Sequence, residues 1–238
     1  SYLCKDGPNE ELGYSLRTLV NIPYDRVFIV GGCPSNIDKT KVIHIPTEQN
    51  INKWRNATNN LIKACKDERL SDDFILFNDD FFILKPIKLE DLHANKGTVE
   101  TVYKNYFEKN GRTSYGDGMV QTAQFLSKMG YKQLLSYELH IPMVMNKKLV
   151  LWLFSLPDVM SIQVLHWRTM YGNMYLKDTK TIPDVKVMGP FIACNYKDNK
   201  FLSTLSTSFP SVKKWLDDRF PAKSVYELLT LKNIQPKN

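Results

Sequence analysis

Short apolar runs alternate with amphipathic segments over the first 85 residues of the chain. Four of the runs have the length and composition of strands: 1–4, 26–30, 41–46 and 74–77. Two segments with apolar residues at helical spacing lie between them, and Asn9 and Asn52 are suitable N-caps for these helices. The order strand, helix, strand, strand, helix, strand is typical of an α/β fold with a mostly parallel sheet and helices packed on it.

After Pro86 the alternation becomes less regular. The glycine-rich stretch 110–118 predicts a loop, mobile like many loops over active sites. Further elements are expected in this order: a helix over 119–129, a strand-like segment over 137–145, helices from Asn146 and from Asp158 to about Tyr171, a strand-rich segment over 185–194, a Ser/Thr-rich loop over 203–208 and a helix capped by Ser211. Ser224 and Glu227 have the spacing of a capping box.

An amide and two adjacent carboxylates, Asn78, Asp79 and Asp80, stand between the apolar runs 74–77 and 81–84. Unpaired anions are too costly to bury, so the carboxylates must be paired or must lie where the strand opens onto a site. Asn78 and Asp80 point the same way in an extended chain. Their oxygens suit Mg²⁺ or Mn²⁺ bridged to a phosphate-bearing substrate. A strand-end turn with solvated aspartates fits the local pattern equally well.

Three cationic side chains and one glycine are candidates for binding a phosphate-bearing ligand. Arg17 lies off the apolar face of the first predicted helix, where a solvated surface arginine is the alternative. Lys53 and Arg55 lie near the N-terminus of the second helix, where the helix dipole gives cations no help. They face either a diphosphate or solvent. Gly31, at the end of a predicted strand, would let a ligand approach the backbone closely.

His140 interrupts an apolar, strand-like segment. A histidine in such surroundings is more often a hydrogen-bonded core residue than a metal ligand or a catalytic base. Both interpretations stay open on the pattern alone.

Composition narrows the class of protein without choosing a function. The 238 residues suffice for one substantial domain, and no apolar run approaches the ~18 residues that span a bilayer. No secretory pattern is present, and the four cysteines lack zinc-site spacing, which favours a soluble cytoplasmic protein with reduced thiols. The net charge of +7 suits an anionic partner such as a nucleotide, a nucleic acid or an acidic surface.

Several short blocks of the sequence resemble blocks that occur in the same order and with the same spacing in one group of proteins. The first is EELGYSLRTL at 10–19, close to EELRYSLRSL, and the others lie at 27–31, 44–46, 53–56, 77–81, 140–142, 171–173 and 220–227. With these blocks the chain resembles, over nearly its whole length, a group of glycosyltransferases common in bacteria and their phages. Those proteins in turn resemble the Stealth-type sugar-phosphate transferases. Gly13 stands where the pattern has arginine.

The resemblance implies a Rossmann-like fold of the glycosyltransferase A type with a helical C-terminal part. A nucleotide-sugar-binding half would span 1–86 and an acceptor-side half 87–238 of a single domain. Asn78, Asp79 and Asp80 would hold Mn²⁺ or Mg²⁺ on the donor diphosphate, with His140 as a later metal ligand. Arg17, Lys53 and Arg55 would flank the phosphates.

The resemblance therefore implies metal-dependent transfer of a sugar from a nucleotide-sugar donor to an acceptor, which is phage DNA, a phage protein or a glycan. An inverting reaction needs a base, for which Asp117, Asp184 and His140 are the candidates, whereas a retaining reaction needs none. Two alternatives remain: transfer of a sugar phosphate, as in the Stealth proteins, and a non-catalytic binding protein on the same scaffold.

Overall fold

A computed structural model describes residues 1–50 and 52–228 of the chain. Ten strands occur in this part: β1 Tyr2–Cys4, β2 Phe28–Gly31, β3 Ile43–Ile45, β4 Asp73–Asn78, β5 Phe81–Ile83, β6 Ala94–Asn95, β7 Met143–Asn146, β8 Lys180–Thr181, β9 Lys186–Val187 and β10 Phe201–Thr204. Seven α-helices accompany them: α1 Glu10–Arg17, α2 Lys53–Lys66, α3 Val99–Asn110, α4 Ser114–Lys128, α5 Lys147–Ser155, α6 Trp167–Tyr175 and α7 Phe209–Arg219. The protein is thus α/β, as the sequence predicts.

The central sheet has five strands in the order β3-β2-β1-β4-β7. The first four strands are parallel, and β7 joins β4 antiparallel. In the middle of this sheet Tyr2 pairs with Ile29 on one side and with Phe77 on the other. The predicted mostly parallel sheet is confirmed.

Both faces of the central sheet are covered by helices. Successive residues of a strand point to opposite sides of the sheet, so neighbouring residues belong to different cores. Ile29 belongs to the core that includes Leu12 and Leu16 of α1. Its neighbour Val30 belongs to a second core, with Leu61 of α2 and Val150 of α5. Helices therefore pack on each face of the sheet.

Local capping begins the two helices nearest the predicted site. The Asn9 side chain accepts a hydrogen bond from Leu12 N at 3.1 Å, and the Asn52 side chain accepts one from Arg55 N at 2.9 Å. Both N-cap predictions are confirmed.

A second, three-stranded sheet has the order β5-β10-β9. β5 follows Asp80 directly, runs antiparallel to β10 and brings Ser203 opposite Phe81. β9 lies parallel to β10 on its other side, with Lys186 opposite Ser203. Ser203 and Thr204 were expected in a Ser/Thr-rich loop, but their backbones pair in this sheet, which carries distant segments to the end of β4.

The predicted mobile loop over 110–118 is wrong. Only three residues, 111–113, separate α3 from α4, and the Thr113 hydroxyl accepts a hydrogen bond from Gly116 N at 3.1 Å to begin α4. Gly118 lies inside α4. Any other residue at this position would place a Cβ atom within 2.1 Å of Val164 O. The glycine serves close packing and not mobility.

Other boundaries also differ from the sequence prediction. The expected helix from Asp158 is a single 3₁₀ turn at Val159–Ser161, followed by α6, which begins only at Trp167. The expected strand-rich segment over 185–194 contains only β9 as a strand. Among the described residues, no helix is both long enough and apolar enough to cross a membrane.

Candidate functional site

A cleft of about 440 Å³ opens at the carboxyl ends of β1 and β4. The chain leaves β1 for β2 on one side of the sheet and returns through β4 on the other, so the cleft lies at the topological switch point where α/β sheets bind ligands. Its charged lining consists of three carboxylates and three lysines: Glu11, Asp79, Asp80, Lys5, Lys53 and Lys186. Asn78 lines it as well, so the predicted motif and Lys53 come together here.

Asp80 is a buried carboxylate of the motif, with a side chain that is 11% exposed. Its Oδ2 accepts hydrogen bonds from Lys186 Nζ at 3.0 Å and from Ser203 Oγ at 2.8 Å. The charge is therefore paired, which satisfies the requirement that buried carboxylates have partners.

Asp79 and Glu11 bring further negative charge close to Asp80. Burial, together with the neighbouring charge of Asp80, raises the pKa of Asp79 to about 7, although Asn9 Nδ2 donates a hydrogen bond to it. Burial also raises the pKa of Glu11, which accepts a hydrogen bond from Thr204 Oγ1 at 2.7 Å. The negative charges of these neighbouring carboxylates oppose one another, which contributes to the raised pKa of Asp79 and of Glu11.

The crowding predicts that Asp79→Asn stabilises the ligand-free protein at alkaline pH. The folded-state pKa of Asp79 lies above its unfolded value of 3.8, so its contribution to stability is lost as pH rises from about 4 to about 7. We expect the free energy of unfolding to rise by roughly 2 kcal/mol at pH 8 and to change little at pH 4, as measured by urea denaturation in EDTA. An equal change in the free energy of unfolding at pH 4 and at pH 8 would contradict the raised pKa of Asp79.

The oxygen donors of the motif fit a divalent cation that is completed by substrate. Mg²⁺ is commonly held by one or two carboxylates together with substrate phosphates and water. Asp79 and Asp80 meet that description. A preformed cluster of three His, Cys, Asp or Glu side chains suited to a metal is absent from residues 1–50 and 52–228. His140 therefore does not join the two aspartates as a third ligand in this structure.

His140 instead forms a network with Asp184 and Lys96. His140 Nδ1 lies 2.9 Å from Asp184 Oδ2, the His140 backbone N–H donates to Oδ1 at 3.2 Å, and Lys96 Nζ lies 2.6 Å from Oδ2. Burial raises the pKa of Asp184, but the hydrogen bond from His140 and the charge of Lys96 outweigh burial and hold that pKa well below its usual range. When the proton on Nδ1 is donated to the ionised carboxylate, Nε2 of a neutral imidazole ring is the acceptor.

The histidine network and the carboxylate cleft are held by one short segment. Asp184 binds His140, and Lys186, two residues further on, binds Asp80. Two residues of extended chain span at most about 7 Å, so the backbones of Asp184 and Lys186 are close. The edge of the His140 ring also meets Phe81, the residue after Asp80, with ring centroids 6.4 Å apart. Two of the three predicted base candidates are thus brought together beside the motif.

A smaller pocket of about 260 Å³ adjoins the histidine network through Lys96. Tyr106 and Tyr115 form part of its wall, with ring centroids 5.2 Å apart. Glu138 also lines the pocket, and its Oε1 accepts a hydrogen bond from Thr169 N at 3.0 Å. Aromatic faces and polar groups of this kind can hold a partly polar molecule in a defined orientation.

Arg17 does not line the cleft. Its guanidinium forms a two-point ion pair with Glu227, at 2.9 Å from Nε and 2.8 Å from Nη2, and lies 4.2 Å from the centre of the Tyr14 ring. Glu227 also accepts from Ser224 N at 2.8 Å, which is one of the two bonds of a capping box, but no helix begins there within the described residues. Arg17 is neither a solvated surface arginine nor positioned on the predicted phosphate site, and it ties α1 to the segment after α7.

The ion pair predicts a structural role for Arg17. Its side chain is 10% exposed and that of Glu227 is 5% exposed, so Arg17→Ala leaves the buried Glu227 carboxylate without its cationic partner. We expect the free energy of unfolding, measured by urea denaturation, to fall by about 3 kcal/mol. Arg26→Ala, which removes an exposed pair with Asp25, is the matched control and should change it by less than about 0.5 kcal/mol. Equal effects would refute the structural role.

Of the remaining predicted site residues, Gly31 lies beside the cleft, whereas Arg55 and Asp117 make contacts elsewhere. Gly31 has φ +102°, and a Cβ atom there would come within 2.2 Å of Cys4 O, so the glycine permits close backbone packing beside the cleft. Arg55 Nη2 donates to Met160 O at 2.9 Å and does not line the cleft. Asp117 lies in the first turn of α4 and pairs with Arg112 at 3.2 Å.

Sequence reasoning missed Lys186, Ser203 and Glu11. Lys186 and Ser203 carry no local signal, because they reach Asp80 only through the pairing of β5, β10 and β9. Glu11 does lie in the first block of the resemblance, but an acidic residue in the first turn of a helix is favourable there without any role in a site. Neither the known protein-family models nor the curated proteins contain a match to this chain.

Proposed function

We propose that the protein is a metal-dependent glycosyltransferase that moves a sugar from a nucleotide-diphosphate sugar to an acceptor hydroxyl. The observation that carries this proposal is the cleft at the carboxyl ends of β1 and β4, where Asp79 and Asp80 face three lysines. Carboxylates suit a divalent cation, and lysines suit the phosphates that such a cation accompanies. The sequence resemblance and the parallel strand order support a Rossmann-like sheet of the glycosyltransferase A type.

On the donor side, Asp79 and Asp80 would hold Mn²⁺ or Mg²⁺. When bound, this cation supplies charge neutralisation at the leaving diphosphate. Lys5 and Lys53 are exposed lysines on the lining of the cleft, and each can reach a phosphate oxygen. Asn78 adds an amide that can bind either the cation or the donor.

On the acceptor side, His140 acts as the general base. Asp184 holds the proton of Nδ1, so Nε2 takes the proton of the acceptor hydroxyl. The acceptor oxygen forms a bond to the anomeric carbon while the bond from that carbon to the nucleoside diphosphate breaks. This direct displacement inverts the configuration of the sugar. Asp117, paired with Arg112 in α4, has no part in the step.

The acceptor is proposed to enter through the pocket that Lys96 shares with the histidine network. Its lining by Tyr106, Tyr115 and Glu138 suits a group with an apolar face and polar edges. DNA, protein and glycan acceptors all contain such groups. A DNA acceptor additionally requires duplex binding that weakens steeply with salt, and failure to bind duplex at low salt would remove it.

The resemblance to Stealth-type enzymes favours one second candidate, transfer of a sugar phosphate. The two reactions differ in the released nucleotide, which is a diphosphate for sugar transfer and a monophosphate for sugar-phosphate transfer. Incubation with each nucleotide-sugar and a candidate acceptor in Mn²⁺, followed by removal of the metal with a chelating resin and ³¹P NMR, distinguishes them. We expect a nucleoside diphosphate. A monophosphate would establish the second candidate, and no turnover of any bound donor would leave a non-catalytic binding protein.

A further inference from the structure

Lys186 is the only cleft lysine that contacts a carboxylate of the motif within the described residues. Its side chain is 15% exposed and its ammonium lies 3.0 Å from Asp80 Oδ2. Ser203 Oγ, on the neighbouring strand, donates to the same oxygen at 2.8 Å. Lys5 and Lys53 line the same cleft without such a pair. Asp80 therefore already has a cation before any metal arrives.

The ammonium of Lys186 and a divalent cation compete for the same carboxylate. A metal that binds Asp80 while Lys186 remains in place meets a positive charge a few ångströms away, which opposes binding in a partly buried site. The lysine stem is flexible and its charge is compact, so Nζ can move while β9 stays in place. Ser203 would continue to orient the carboxylate after the lysine has left.

The diphosphate of the donor offers the ammonium a new partner. Its negative charge lies in the same cleft, because the cation on Asp79 and Asp80 would be bound to it. Once Lys186 has moved to a phosphate oxygen, Asp80 is free to bind the metal. Each ligand therefore removes an obstacle to the other, which is the thermodynamic meaning of positive coupling between two sites.

We infer that Lys186 couples metal binding to donor binding: it neutralises Asp80 in the empty cleft and transfers to the donor diphosphate when metal and donor bind together. This inference rests on the proposed function and deepens it. It makes Lys186 a positioning residue for the metal and a binding residue for the diphosphate. It follows that the wild-type protein binds Mn²⁺ weakly without a diphosphate.

The test compares wild type with Lys186→Met. Mn²⁺ affinity is measured without nucleotide by electron paramagnetic resonance of the free ion, and we expect Lys186→Met to bind Mn²⁺ about tenfold more tightly. Thermal unfolding is then followed with Mn²⁺ alone, inorganic pyrophosphate alone and both together. In wild type the combined increase in Tm should exceed the sum of the separate increases, and in Lys186→Met that excess should be smaller, because only the direct contact between metal and diphosphate remains to couple the two ligands.

Lys53→Met is the matched control, because Lys53 lines the cleft but pairs with no carboxylate in the described structure. The affinity of the Lys53→Met variant for Mn²⁺ without pyrophosphate should differ from that of wild type by less than about threefold. Lys186→Gln, which is neutral but still donates a hydrogen bond, repeats the test if the methionine variant unfolds. Failure of both variants to fold would overturn the inference, since the charge would then be structural.

Two further outcomes separate the inference from the proposed function. If wild type responds to Mn²⁺ and pyrophosphate together while Lys186→Met binds Mn²⁺ no more tightly than wild type does, the coupling role is refuted and the proposed function stands. If wild type responds to neither ligand nor to their combination, the proposed function fails and the coupling role fails with it.

Discussion

Asp80→Asn is expected to lower the rate of sugar transfer by about 10³-fold, because a bound metal contributes several kcal/mol at the leaving diphosphate. Asparagine keeps the size of the side chain and can still accept the hydrogen bond from Ser203, but it carries no charge for the cation. The measurement is kcat/KM for the released nucleotide at saturating Mn²⁺. Turnover within tenfold of wild type would remove Asp80 from the metal site.

The choice of asparagine follows from a contact that the sequence does not reveal. The sequence alone suggests that Asp80→Ala spares the fold, since a strand-edge carboxylate contributes little to packing. In the structure that substitution also leaves the Lys186 ammonium buried without its partner, so we expect a loss of about 3 kcal/mol in the free energy of unfolding. Asp25→Asn, at an exposed aspartate paired with Arg26, is the matched control and should leave transfer unchanged.

His140→Gln is expected to lower kcat by about 10³-fold while leaving donor binding intact, since general base catalysis typically contributes 10²–10⁴-fold. Glutamine can still bond to Asp184 but cannot take the acceptor proton. Donor binding is followed by the increase in Tm that the donor produces. His93→Gln changes a half-buried histidine directly before β6 that has no place in the proposed step, and the kcat of this variant should stay within about twofold of wild type.

The competing interpretation of His140 is a core histidine. It predicts that His140→Gln lowers the free energy of unfolding and leaves kcat per folded molecule unchanged. The 30% exposure of the His140 side chain argues against a core position, whereas the hydrogen bond to Asp184 fits either interpretation. Asp184→Asn offers a second check, because loss of the negative charge removes the group that fixes the Nδ1 proton, and kcat should fall with little change in donor binding.

Features of the fold that depend on neighbouring residues could be predicted from the sequence. The strand that ends at Asn78 and the caps at Asn9 and Asn52 come from apolar runs and capping residues that act within a few positions. The location of the motif at a strand end also followed, because two adjacent carboxylates cannot be buried unpaired inside an apolar run. These predictions needed no knowledge of the partners across the chain.

Partners across the chain could not be predicted in the same way. Lys186 is 106 positions from Asp80, and Glu227 is 210 positions from Arg17, so neither ion pair leaves a mark in a local pattern. Gly118 misled the prediction because its role is to let α4 approach Val164, a contact that exists only in the folded chain. His140 and Asp184 were each proposed as a base, but their contact with each other appears only in the structure.

The most direct test of the central claim is a thermal-shift titration of the wild-type protein with a panel of nucleotide-sugars, with and without Mn²⁺. A ligand present at 100 times its Kd stabilises the native state by about 2.7 kcal/mol, so we expect one donor to raise Tm by roughly 5 °C or more with Mn²⁺ and to have little effect without it. The same donor should fail to stabilise Asp80→Asn. A folded protein whose Tm no donor raises in Mn²⁺, or a donor that acts equally well in EDTA, would contradict a metal-dependent nucleotide-sugar site.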